Sequence, residues 1–272
     1  MNSPTRTDLA AEAAGNGARR SRITAITSGK GGVGKTFVAA NLAAALARQG
    51  RKVLVLDADL GLANLDVVLN LYPKITLHDV FTGKRSIEEA ILPAPGGFSA
   101  LLAGSGMVEY SRMTPEVREQ LQKVIDDVAP RYDCVLLDTG AGISDVVLYT
   151  VSLAHDVLVV ATPEPTSLAD AYATIKVLAT TQGRRGVQLL VNQTRKPGEG
   201  RIVRAQLQQV LDRYVAPLVQ GSLRLDLLGE VPADGAVREA VQRRQLLLES
   251  MPGALASQAM VAVATRLLAE GA

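Results

Sequence analysis

From Arg22 onward, short apolar runs alternate with longer stretches in which apolar residues return every three or four positions. The runs RITAIT, KVLVLDAD, FSALLAG, CVLLDT, DVLVVAT, VQLLVNQ and LRLDLLGEV are rich in β-branched residues and leucine and read as strands. The clearest helical stretch is TPEVREQLQKVIDDVA. There Thr114 caps, Pro115 takes the first turn, and Val117, Leu121, Val124, Ile125 and Val128 form one stripe. The strand runs are apolar on both faces, so both faces of the sheet are covered by helices. The pattern predicts an α/β fold: a doubly wound, mostly parallel sheet flanked by helices. Residues 1–20 have no such period and read as a flexible arm, which leaves residues 21–272 as a single domain without internal repeats.

Composition narrows the function. A chain of 272 residues with 47% hydrophobic and 21% charged content can bury a full core. No uninterrupted apolar run reaches the ~18 residues of a membrane span, and the first residues lack a signal-peptide core, so a cytoplasmic location is expected. The single cysteine, Cys134, lies within CVLLD and reads as a small buried hydrophobe that forms no internal disulfide. A net charge of +2 argues against bulk nucleic-acid binding but leaves a local basic patch open. Aromatics at 3%, without tryptophan, argue against a base-stacking surface for single strands. His78 and His155 stand isolated and read as a helix-surface and a strand-flank residue.

The stretch TSGKGGVGKTFVAANLAAALA carries the chemistry. Gly29, Gly34, Lys35 and Thr36 satisfy G-x-x-x-x-G-K-[ST] between a predicted strand and a predicted helix, the context of a phosphate-binding loop. Backbone N–H groups of Gly29, Lys30, Gly31, Gly32, Val33 and Gly34, with Phe37 just beyond, would surround a nucleotide's phosphates. Lys35 would reach its β and γ phosphates, and Thr36 would ligate Mg²⁺. Such a loop needs acids at neighbouring strand ends. VLVLDAD supplies Asp57 and Asp59, and CVLLDTGAG supplies Asp138 followed by Gly140, read as a flexible joint beside the nucleotide. The expectation is that Asp57 and Asp138 hold Mg²⁺ through its waters and that Asp59 orients the attacking water. Asp57 stays open as the water-positioning alternative.

KGGVGKT resembles the deviant Walker A motif of the MinD/ParA family of P-loop ATPases, which carries an extra lysine at the start of the loop. The resemblance implies that Lys30 crosses to the partner's ATP in an ATP-bound homodimer, so that Lys30, Lys35 and Asp59 form the catalytic set. It also implies that Asn192, in VNQT, reads adenine and that Pro232 and Asp234, in EVPAD, complete the base pocket. Turnover would be slow, since the signal lies in the lifetime of the dimer.

Within that family, iron–sulfur carriers bridge a cluster with a pair of cysteines, which this chain lacks. DADLGLANLDVVLNL, TLHDVFTGKRSIEEAI, LLAGSG, DTGAGISDVVL and TPEPTSLADAYATIKVL are most similar to the FlhG (FleN/YlxH) group of regulators of flagellar number and placement. The resemblance implies as partners the flagellar GTPase FlhF, flagellar C-ring proteins or a flagellar transcription activator, with peripheral association at the cell membrane. Two features depart from the group. DLAAEAA, from Asp8, keeps little of its D-Q-A-x-x-L-R arm, and the final stretch PGALASQAMVAVATRLLAEGA has Arg266 as its only basic residue. That ending suits a helix packed on the sheet better than one lying on anionic lipid. REAVQRRQLLLE places Arg238, Arg243 and Arg244 on a predicted helix, a solvated face or a basic patch. The patch keeps a DNA-binding ParA-type partitioning ATPase as the alternative within the family. An ATP-dependent metabolic ligase or synthetase is the alternative of another class. The amphipathic stretch from Leu65 to Leu92 reads as a partner surface.

Overall fold

A computed structural model describes residues 21–61, 64–104 and 112–269, so the expected arm and the end of LLAGSG lie outside the described residues. Strand β1 (Arg22–Ser28) leads through the glycine-rich loop into α1 (Lys35–Arg48), and β2 (Val53–Ala58) follows. Three short helices come next, α2 (Leu65–Leu69), α3 (Leu77–Phe81) and α4 (Ile87–Ala90), then β3 (Ile91–Pro93) and β4 (Ser99–Leu101). The rest alternates regularly: α5 (Pro115–Val128), β5 (Cys134–Ala141), α6 (Asp145–Ser152), β6 (Asp156–Ala161), α7 (Pro165–Gln182), β7 (Gly186–Thr194), α8 (Glu199–Tyr214) and β8 (Arg224–Pro232). Three helices close the described chain, α9 (Gly235–Gln242), α10 (Leu247–Ser250) and α11 (Leu255–Ala269).

The strands form one sheet in the order β3-β4-β2-β5-β1-β6-β7-β8, parallel throughout except for β3 against β4. After β1 the chain moves outward, returns to place β5 beside β1, and then winds the other way through β6, β7 and β8. The reversal lies at β1, and a crevice opens there beyond the carboxyl ends of β1, β2 and β5. One core layer packs β-strand residues such as Ala25, Leu56 and Val159 under α5, α7 and α8. The opposite layer packs Ile26, Val55 and Leu158 under α1, α10 and α11. This is the doubly wound architecture read from the strand pattern. Helix α5 buries the expected stripe of Val117, Leu121, Val124, Ile125 and Val128, and the Thr114 hydroxyl accepts the Val117 N–H as its cap. Helix α11 buries Ala256, Met260, Val263, Ala264 and Leu267 against β8 and α1, as its alanine-rich pattern suggested.

Two local readings change. The antiparallel edge strand β3 was not expected, because three residues ending in Pro93 carry too little period to be read. Its proline and its short length blunt that edge against pairing with another chain. REAVQRRQLLLE is not one helix: α9 ends at Gln242, and Arg244 takes a left-handed backbone (φ 53°), so Arg238 and Arg244 do not share a helical face. The other edge strand, β8, is covered by side chains instead. Gln208 accepts the Leu225 N–H and donates to the Leu223 carbonyl, and Arg204 donates to the Leu225 carbonyl.

Candidate functional site

The glycine-rich loop leaves β1 and is fixed at its start by the Ser28 hydroxyl, which donates to the Lys30 carbonyl at 2.9 Å. Gly29 runs against the backbone of α7, where a Cβ would lie 2.2 Å from the Asp170 carbonyl oxygen, so only glycine fits. Gly34 is left-handed (φ 91°) and serves as the N-cap of α1, leaving the first N–H groups of that helix directed at the crevice. Helix α1 is buried almost throughout, from Phe37 to Leu46, which gives the loop a rigid base.

Asp57 and Asp138 are register partners on β2 and β5, and both carboxylates are almost fully buried. Lys35 Nζ lies 3.5 Å from Asp138 Oδ1. Asp57 accepts the N–H groups of Asp59 and Leu65, each at 3.2 Å. Burial, then the neighbouring Asp138 charge, pushes the Asp57 carboxyl up to about 8. Burial also raises Asp138, while Lys35 and the Thr36 hydroxyl pull it back down. Two adjacent buried carboxylates thus have one ammonium nearby, beside Asp138, and that donor set fits a hard divalent cation. Mg²⁺ is typically bound by one or two carboxylates together with substrate phosphates, a set to which this pair could contribute.

Asp59 lies beside that pair, and its charge adds to the upward push on both carboxyls. It lines the main cleft of about 700 Å³ together with Lys30, Lys35, Thr36, Phe37 and Gly140. Gly140 is not a flexible joint: it is a buried residue within β5, and a Cβ there would lie 3.4 Å from Asp59 Oδ1 and 3.2 Å from Val147 Cγ2. The glycine leaves room for the Asp59 carboxylate.

A second cavity of about 310 Å³ opens where Gly34 and Phe37, which also line the main cleft, meet the ends of β7 and β8. Asn192, Pro232 and Asp234 all line it, so the structure gathers the residues expected around the base. Two of them hold the protein itself. Asn192 Nδ2 donates to the Val33 carbonyl at 2.8 Å, and its Oδ1 accepts the Gln193 N–H. Asp234 caps α9 by accepting the Ala236 N–H and also accepts the Ala256 N–H at the start of α11. Lys30 turns away from its own loop toward the start of α7, with Nζ 3.1 Å from Thr166 Oγ1 and 3.5 Å from Glu164 Oε2.

The sequence reading missed several lining residues, among them Ser28, Ser144 and Val147 in the main cleft and Val237, Arg238 and Val241 in the second. Only the last three had a local signal, the spacing Val237–Val241 at one helical turn. His155 is the strand-flank residue expected: its Nδ1 accepts the Ile23 N–H at 3.1 Å. Cys134 is buried, as expected, and burial raises its thiol pKa.

A parallel sheet with a glycine-rich loop entering a buried helix, and strand-end acids around that loop, define a P-loop nucleotide-binding domain. The family described as ParA, NUBPL iron-transfer P-loop NTPase, matches residues 19–268, and the chain belongs to this ParA/MinD family of P-loop ATPases. It is 42% identical over 245 residues to the antiactivator FleN of Pseudomonas aeruginosa, covering 90% of this chain and 85% of the relative. It is 32% identical over 251 residues to the flagellum site-determining protein YlxH of Helicobacter pylori, covering 92% and 82%. The solved septum site-determining protein MinD of Pyrococcus horikoshii, in complex with Mg-ADP, superposes with a TM-score of 0.74 at 28% identity, covering 93% of this chain and 99% of that one. The chain's one cysteine, Cys134, is buried at the start of β5.

Proposed function

We propose that this protein is an ATP-driven dimerisation switch that controls the number or placement of flagella. The observation that carries the reading is the 42% identity to FleN across 90% of the chain, supported by the likeness to YlxH. YlxH is a flagellum site-determining protein by name and FleN an antiactivator, a pairing that suits a regulator of flagella.

The geometry supports distinct roles for the acids and lysines. Lys35 and the N–H groups at the start of α1 bind the phosphates. Thr36, Asp57 and Asp138 would hold Mg²⁺, which when bound would supply positive charge against the phosphates. Asp57 is buried and committed to two backbone N–H groups, whereas Asp59 lines the open cleft, so Asp59 is the residue that orients water. Lys30 leaves Thr166 and Glu164 to reach the partner's nucleotide, forming the ATP-bound homodimer. Hydrolysis is slow and ends the signal.

The dimer acts in the cytoplasm on a flagellar partner, and the antiactivator name of the relative points to a transcription activator before FlhF or the C-ring. No described helix is long and apolar enough to cross a membrane, and α11 buries Met260, Val263 and Leu267 against β8 and α1, so we read any membrane association as peripheral. The test is a count of flagella per cell by electron microscopy in a strain lacking the protein, with nucleoids stained. Extra or misplaced flagella with normal nucleoids are expected. Normal flagella with cells lacking DNA would instead favour a partitioning ATPase.

A further inference from the structure

At the amino ends of β6 and β7, the opposite end of the sheet from the nucleotide cleft, lies a further cavity of about 630 Å³. His155, Arg184 and Arg185 line it together with Ser152 and Gln182, and among the described residues its lining has no apolar side chain. The segment that supplies the arginines is fixed at both ends. Gly183 closes α7 in a left-handed turn (φ 66°), the Arg184 N–H bonds the Leu178 carbonyl, and the Arg185 carbonyl accepts the Arg224 N–H. The Arg184 guanidinium folds back on the end of α6, donating to the carbonyls of Val151, Ala154 and His155, and Arg185 donates to the Val219 carbonyl. These carbonyls orient both side chains but carry no net charge. Among the described residues no carboxylate lies within ion-pair distance of either arginine. Asp156 acts on Arg184 from further off and is itself paired with Arg22 at 2.6 Å. Burial lowers the Arg184 pKa, so that charge is held against a desolvation cost. His155 Nδ1 accepts the Ile23 N–H, which leaves the ring proton on Nε2 as a donor.

We propose that this cavity is a binding site for a small oxyanion, a phosphate or carboxylate group, held by Arg184, Arg185 and the Nε2–H of His155. A guanidinium has five N–H donors, so each arginine keeps donors beyond those its backbone carbonyls accept. Two neighbouring like charges repel, and an anion bound to both replaces that repulsion with two attractions. Hydrogen bonds between ionised partners are about twice as strong as neutral ones. Because the segment and the guanidinium groups are already anchored, little freedom is lost when the ligand arrives. The polar wall offers nothing to hold a purine ring or an acyl chain, so the ligand is compact and charged.

The chain has two histidines, so the imidazole NMR resonances of the full chain give one signal from the cavity, His155, and one internal control, His78 on α3. The test adds inorganic phosphate and, separately, succinate to the chain with its cleft filled by Mg·ADP, at fixed pH and with ionic strength held constant by chloride. The His155 resonances are expected to move along a saturating curve with at least one of the two, while those of His78 stay in place. Saturation by phosphate alone assigns a phosphate ligand, by succinate alone a carboxylate, and by both an oxyanion site that accepts either. Arg185 is exposed and lies away from the nucleotide cleft. Arg185→Gln should therefore leave Mg·ADP affinity and the melting temperature close to those of the unmutated chain. It should raise the half-saturating anion concentration by about tenfold or more, the worth of one hydrogen bond to a charged group. His155 resonances that stay still, that drift with concentration without saturating, or that saturate equally in Arg185→Gln would overturn the proposal.

Discussion

Lys30 Nζ lies 3.5 Å from Glu164 Oε2, across the gap between the phosphate loop and the start of α7. Both side chains are substantially exposed, so the pair contributes little to stability. A cation beside a helix N-terminus is unfavourable, and Glu164, at the N-cap of α7, is what makes the position tolerable. Lys30 is therefore held by a weak contact. Glu164→Ala should leave the melting temperature almost unchanged and leave dimerisation with a non-hydrolysable ATP analogue intact or stronger. Lys30→Ala should abolish that dimer. Light scattering after gel filtration checks both, and a normal dimer in Lys30→Ala would remove the lysine from the interface.

The paired carboxylates make the nucleotide-free protein sensitive to pH in a defined direction. The Asp57 carboxyl stands at about 8 in the fold against 3.8 as the ordinary value, so between those limits the folded state holds more protons than the unfolded one. Stability then falls as pH rises through that window, because its slope follows the protons bound by the unfolded minus the folded state. Burial shifts Asp138 the same way. Thermal melts without nucleotide should show a higher melting temperature near pH 5 than near pH 8, and Asp57→Asn should flatten that slope. A stability that rose over the same range would contradict a protonated Asp57.

Gly34 couples the loop to the base side. It is left-handed, and a Cβ there would lie 2.4 Å from Asn192 Nδ2, the atom that braces the Val33 carbonyl. Gly34→Ala thus strains the backbone and displaces the brace together. The expected cost is roughly 1–3 kcal/mol of stability and at least a tenfold loss in Mg·ADP affinity. Asn192→Ala keeps the glycine and removes only the brace, so it should lose affinity with a smaller change in melting temperature. Equal affinities in both variants and the unmutated chain would show that the loop holds its shape without Asn192.

The parts legible in the sequence were those encoded locally. The stripe from Val117 to Val128 needs only one helical period, and the phosphate loop needs only its own spacing and flanks. What was not legible depends on chains meeting in space. The left-handed turn at Arg244 uses a residue with no special preference for it, so the helix through REAVQRRQLLLE looked continuous. The second task of Asp234 was not legible, because nothing local shows that the Ala256 N–H, 22 residues on, will reach its carboxylate. Gly140 looked flexible for the same reason, since its neighbour Asp59 lies just past the end of β2, far away in the chain.

The division of labour between Asp57 and Asp59 can be decided by kinetics. Asp57 is buried beside Asp138 and accepts two backbone N–H groups, one of them from Asp59 itself. Asp57→Ala therefore removes a cation ligand and unfastens the segment that carries Asp59. It should lower Mg²⁺-dependent nucleotide affinity and turnover together. Asp59→Ala removes a carboxylate that lines the cleft. Nucleotide binding and the ATP-bound dimer should survive, while single-turnover hydrolysis falls by about a hundredfold or more, the size of effect seen when a general base is lost. Retained turnover in Asp59→Ala together with retained binding in Asp57→Ala would exchange the two roles, and the buried carboxyl would then have to lose its proton before water could be activated.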